Sequence, residues 1–134
     1  MATIWWEEPV AVSAEKAWAA LRRVDRSHEL FAPVLVGGVI EGGIRTVSFA
    51  NGLVVRERIV TVDESRQRVV YSVLGDTFEH HSASMQILPV DEANCRFLWI
   101  SDFLPDERVG TVQPLVQQGA RALVRNIEGD NPPG

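Results

Sequence analysis

The chain has 134 residues, of which 46% are hydrophobic and 23% charged, and its net charge is −5. That size suits one domain with a single sizeable core, and the acidic balance argues against a nucleic-acid backbone as partner. No apolar run approaches the roughly 20 residues that cross a bilayer, and MATIWWEEPV lacks the basic-then-apolar pattern of a secretory signal. The single cysteine, Cys95, excludes an internal disulfide and fits a reducing compartment, so the cytoplasm is the expected location.

In chain order, residues 3–12 read as a strand ending at Ser13. Ser13 is a candidate N-cap for a helix over Ala14–Arg23, with Glu15 in its first turn and Ala17, Trp18 and Leu21 as its apolar stripe. A second short helical piece, Ser27–Phe31, stops at Ala32-Pro33, because the residue before proline is pushed out of the α region. Six strands follow at about 34–41, 43–49, 53–62, 67–74, 78–89 and 95–103. Turn signals separate them, and short connections between consecutive strands make an antiparallel meander.

The stretch IRTVSFANGLVVRERIV holds the hairpin that matters most. A two-residue loop at Asn51-Gly52 would set Thr46 opposite Glu57. A three-residue loop, Ala50-Asn51-Gly52, with Gly52 at positive φ, instead pairs Phe49 with Leu53, Val47 with Val55 and Arg45 with Glu57. The second register is preferred, because it collects Val47, Phe49, Leu53, Val55 and Ile59 on one face and sends Ser48, Arg56 and Arg58 to the other. It also puts an ion pair, Arg45 and Glu57, on the buried face. Such a pair is expensive unless well bonded, and it often lines a cavity.

From Asp106 the spacing becomes helical: Val109, Val112, Val116, Gly119, Leu123 and Ile127 recur every three or four residues. About 20 residues span about 30 Å, enough to cross the concave side of a twisted sheet. Asp106 is a candidate cap. Pro114 removes the partner of the Gly110 carbonyl, so the helix either kinks there or begins nearer Val112. The composition of GDNPPG predicts a frayed tail over 129–134, leaving 1–128 as the domain.

Three blocks carry a family resemblance over roughly residues 5–128: PVAVSAEKAWAALRRVD, GGVIEGGIRTVSFANGLVVRERIVTVDESRQRVVYSV, and CRFLWISDFLPD before the last helix. With the element order they resemble the START/polyketide cyclase-like superfamily (SRPBCC), which includes the birch-pollen-allergen-like proteins. The resemblance implies an α+β helix-grip fold: a seven-stranded antiparallel sheet wrapped around a long C-terminal helix, with two short helices after the first strand. It also implies a cavity between sheet and helix for a small hydrophobic, aromatic or polyketide-like molecule. HELFAPVLV together with HHSASMQ suggests a narrower bacterial subfamily.

The candidate chemistry follows from strand parity. Arg45 and Glu57 are candidates to bind a polar end of a ligand, with Arg45 anchoring an anionic or carbonyl group; alternatively Glu57 is a general base, or the two form a structural ion pair. Tyr71 shares the inward side with Val69 and Val73; its hydroxyl either orients a carbonyl or is satisfied within the core. His80 and His81 face opposite ways, and His81, on the side of Ala83, Met85 and Ile87, is the candidate acid/base partner of Glu57 or a bonded core histidine. Val47, Phe49, Val55, Met85, Trp99 and Phe103 complete the expected ligand-binding wall with Arg45 and Tyr71. The register of Trp99 stays open, because Leu98 and Ile100 are apolar too. Trp5 and Trp6 also face opposite ways, and an exposed tryptophan points to an interface, with a homodimer as one reading.

The chain has no nucleophile elbow, P-loop, zinc spacing or dinucleotide fingerprint, so no cofactor is expected. Three functions remain open: a binder of a small hydrophobic molecule, a cofactor-free cyclase, dehydratase or isomerase, and a protein-binding regulator that uses the Trp5/Trp6 end.

Overall fold

A computed structural model describes residues 2–129. Strand β1 (Ala2–Val10) leads into helix α1 (Ala14–Leu21), a 3-10 turn (Val24–Arg26) and the single-turn helix α2 (Ser27–Leu30). Six strands follow: β2 (Leu35–Glu41), β3 (Ile44–Phe49), β4 (Val54–Asp63), β5 (Arg68–Val73), β6 (His80–Asp91) and β7 (Asn94–Leu104). A second 3-10 turn (Asp106–Arg108) opens into helix α3 (Val109–Gly129). Gly129, expected in the tail, is the last helical residue, and residues 130–134 lie outside the described residues.

The strands form one antiparallel sheet in the order β1-β7-β6-β5-β4-β3-β2. Since β1 and β2 occupy opposite edges, the chain between them must cross the full width of the sheet. Helices α1 and α2 make that crossing, α1 packing on β6 and β7 and α2 on β2, while α3 lies against β1 and β7. This is the helix-grip arrangement.

Local chemistry explains the boundaries. Ser13 has extended backbone angles, and its Oγ accepts a bond from the Lys16 N–H at 3.1 Å, capping α1. Ala17, Trp18 and Leu21 are the buried face of α1. The C-terminal carbonyls of α2 are satisfied from a distance: Asn126 Nδ2 donates to Leu30 O at 2.7 Å and Ala32 O at 2.8 Å. Pro114 lies inside α3, and the helix begins before it, at Val109 rather than Val112. Gly110, whose carbonyl loses its helical partner to that proline, is exposed to water.

The β3–β4 hairpin takes the three-residue loop. Arg45 pairs with Glu57 and Val47 with Val55, and the Phe49 N–H donates to Leu53 O at 2.8 Å. Gly52 has φ +93°, and Asn51 Oδ1 accepts the Leu53 N–H at 2.9 Å. In β4 a bulge between Ile59 and Thr61 pushes Val60 outward and returns Val62 to the inner face. Phe97, Phe103, Ile87, Leu123 and Ile127 are the largest fully buried side chains. Each contributes roughly 1.5–3 kcal/mol by leaving water.

Candidate functional site

A cavity of about 340 Å³ lies between the concave face of the sheet and α3. Gly119 of α3 faces it, as does Val116, and Phe31 and Leu35 from the α2–β2 segment close one side. The exposed lining residues mark its mouth: Leu53, Val54 and Arg56 of the β3–β4 hairpin, Gly75 and Thr77 between β5 and β6, and Thr111 of α3.

Of the ligand-binding residues expected from the sequence, Arg45, Val47, Phe49, Val55, Tyr71, Met85 and Trp99 line this cavity, as do Glu57 and His81. Phe103 does not. It is fully buried and packs edge-on against Phe78, ring centroids 5.4 Å apart, and Phe78 takes the place at the cavity wall. The open register of Trp99 resolves inward: it pairs with Met85 across β6, and its ring meets Phe31 and Phe97.

The polar groups form a connected set at the inner end. Arg45 and Glu57 are both buried, at 7% and 8% exposure. The Arg45 Nε–H donates to Glu57 Oε1 at 2.8 Å, and Nη2 lies 2.8 Å from the same oxygen. Nη1 donates to Ser27 Oγ at 2.6 Å and to Val24 O at 3.2 Å. The guanidinium thus ties β3 to the segment that crosses the sheet. It also stands over the Tyr71 ring, 5.5 Å from its centroid.

Glu57 is held by one oxygen only. Among the described residues no hydrogen bond reaches its Oε2. Burial raises its pKa above the usual carboxylate value, and the Arg45 charge and hydrogen bond act against that rise. The Tyr71 oxygen accepts the Trp99 Nε1–H at 3.2 Å, which leaves the phenolic proton for another acceptor. Burial first, and then the Glu57 charge, raise the Tyr71 pKa, so the phenol stays protonated.

Of the two parts open to His81, its contacts favour the hydrogen-bonded core histidine. Its Nδ1 accepts the backbone N–H of Val73 at 3.0 Å, which leaves Nε2 as the protonated nitrogen. Burial, helped by neighbouring His80, pushes its pKa down to about 4. A neutral ring with Nδ1 engaged offers a donor rather than a base, and no bond joins it to Glu57 among the described residues. Its ring instead stacks obliquely on Phe78, 4.9 Å between centroids.

Two buried polar lining residues, Ser27 and Ser101, carry no role predicted from the sequence. Ser27 is buried by its bond to Arg45, and Ser101 is buried on β7 with no side-chain hydrogen bond among the described residues. Parity alone places Ser101 inward beside Trp99. Nothing in the local pattern signals Ser27, whose partner lies 18 residues away.

No cluster of three or more His, Cys, Asp or Glu side chains suited to a metal ion occurs among the described residues. Cys95 is buried, and burial raises its thiol pKa. No helix among the described residues is long and apolar enough to cross a membrane.

The architecture is shared with solved structures of low sequence identity. XoxI from Bacillus cereus superposes with a TM-score of 0.85 at 17% identity, over 99% of this chain and 100% of that one. A START superfamily protein from Mycobacterium smegmatis gives 0.78 at 14% identity, covering 95% and 97% of the two chains. Norcoclaurine synthase from Thalictrum flavum, in complex with dopamine and hydroxybenzaldehyde, gives 0.75 at 17% identity, covering 96% and 87%. These likenesses speak for the fold. No curated protein sequence matches the chain. The family model described as polyketide cyclase / dehydrase and lipid transport matches residues 1–128. With its helix-grip fold, the chain belongs to that family, within the START-like superfamily.

Proposed function

We propose that this protein binds a small, largely apolar molecule, aromatic or polyketide-like, in the cavity between the sheet and α3. One observation carries the reading: an apolar cavity of about 340 Å³ is lined by a few polar groups with unused hydrogen-bonding capacity, Glu57 Oε2 and the Tyr71 hydroxyl among them. Pockets for small ligands have this build, an apolar wall with a few fixed polar groups that set orientation. The dopamine and hydroxybenzaldehyde bound by norcoclaurine synthase support an aromatic occupant. A thermal-shift screen of aromatic, polyketide-like and fatty-acid compounds tests it. A ligand at about 100 times its Kd adds roughly 2.7 kcal/mol, which moves the midpoint by a few degrees in a domain of this size. The shift should shrink in a variant that fills the cavity, such as Val55→Trp. No shift with any class rejects the proposal.

A second reading rests on the free oxygen of Glu57. A buried carboxylate with one oxygen bound and the other unpartnered can act as a base. Oε2 would take a proton from carbon next to a carbonyl, while the Tyr71 O–H donates to the oxygen that gathers the negative charge. This is cyclase, dehydratase or isomerase chemistry without a cofactor. It predicts turnover that disappears in Glu57→Gln and weakens in Tyr71→Phe. Turnover that survives Glu57→Gln excludes it.

A further inference from the structure

Resting on the ligand-binding reading above, the geometry points to charge selectivity: we infer that the cavity takes neutral aromatic molecules bearing a hydroxyl donor and rejects carboxylates. An arginine in an apolar cavity ordinarily suggests an anion site. Here four of the five guanidinium N–H groups are already engaged. Of its five N–H groups, those on Nε and Nη1 are bonded to Glu57, Val24 and Ser27, and Nη2 also lies against Glu57 Oε1. Its charge is matched by a carboxylate 2.8 Å away. What the cavity has left is an acceptor, Glu57 Oε2, and donors, the Tyr71 O–H on the neighbouring strand, whose oxygen takes the Trp99 indole N–H, the His81 Nε2–H and the Ser101 hydroxyl.

A ligand carboxylate placed there would meet the unpartnered oxygen of a second carboxylate, with no free cation among the lining residues buried beside it. The other lining arginine, Arg56, is exposed. A ligand hydroxyl can donate to Oε2 and still accept from one of the lining donors. Hydrogen bonds to a charged acceptor are the stronger kind. A methyl ether of the same shape can only accept, and leaves Oε2 unsatisfied.

The test is isothermal titration of the full chain with three probes of one shape: 2-naphthol, 2-methoxynaphthalene and 2-naphthoate. The expected order is naphthol tightest, by about tenfold or more over the ether, with naphthoate weakest. Glu57→Gln removes the negative charge and leaves Arg45 uncompensated, so naphthoate should gain at least about tenfold relative to naphthol. Wild-type protein that binds naphthoate as well as naphthol, or naphthol no better than the ether, overturns the selectivity while keeping the ligand-binding reading. Failure of all three to bind removes both. If Glu57→Gln does not fold, the wild-type order of the three probes decides.

Discussion

Gly119 on α3 and Trp99 on β7 approach so closely that a Cβ on Gly119 would stand 3.1 Å from Trp99 Cζ3 and 3.3 Å from Cη2. The missing side chain lets the helix settle against the indole, and the indole is held from its other end by the bond from Nε1 to the Tyr71 oxygen. One glycine therefore sets the distance between helix and sheet at the cavity wall.

Replacing Gly119 with alanine should destabilise the protein by about 1 kcal/mol. The gain in helix propensity, up to about 1 kcal/mol, is outweighed by overpacking of about 1–3 kcal/mol. Gly110→Ala makes the contrast. Nothing lies within 4 Å of its added Cβ, and the position is exposed within α3, so that variant should gain about 0.5–1 kcal/mol. Urea denaturation of the two variants should give shifts of opposite sign.

Arg45→Met should cost about 3–5 kcal/mol at neutral pH, the usual consequence of leaving a buried charge without its partner. With Arg45 gone, the opposing influence on Glu57 disappears and its folded pKa climbs further above the unfolded value. A group with a raised folded pKa destabilises increasingly as pH rises through that window. The deficit of Arg45→Met relative to the wild type should therefore be smaller at pH 5 than at pH 8. An equal deficit at both would show that the carboxylate is not what the arginine offsets.

Acid should weaken the fold through His81. Its folded pKa is pushed down to about 4 from an ordinary 6.5. Between those values the unfolded chain takes up a proton that the folded chain refuses, so stability falls as pH drops from 6.5 towards 4. Glu57, with its raised pKa, leans the opposite way, so the decisive quantity is the difference between the wild type and His81→Phe. That difference should shift in favour of the variant as pH falls through this window, as read from denaturation midpoints.

Tyr71→Phe keeps the ring under the guanidinium but removes the acceptor of the Trp99 Nε1–H. A buried donor left unsatisfied costs about 1–3 kcal/mol. The loss should appear in the folding free energy, together with a change in Trp99 fluorescence as the indole loses its hydrogen bond.

The hairpin register was legible because two independent signals agreed: alternation across Val47 and Val55, and a glycine at the one loop position that needs positive φ. The ion pair followed from that register. The occupation of Arg45 was not legible, because Ser27 and Val24 reach it from the crossing segment, where no periodicity sets a partner. Parity places Phe103 on the inner face correctly but cannot say what covers it. Phe78, in the irregular chain before β6, lies over it. The role of His81 turned on a single backbone contact, the Val73 N–H, where the β5–β6 pairing gives way to a side-chain acceptor. Parity can place a histidine inward, but it cannot say which nitrogen is engaged.

The pairing of β1 with β7 has a kinetic consequence. Every other neighbour in the sheet is also a neighbour in sequence, whereas Thr3 bonds Asp102 across 99 residues. Loop closure over that span offers little return until the intervening strands are in place. β2 through β7 can zip up as successive hairpins, while the first strand made waits for the last. During synthesis the segment that carries exposed Trp5 must remain unpaired until β7 has emerged. A tryptophan reporter in β1 should accordingly gain its native environment in the slowest folding phase.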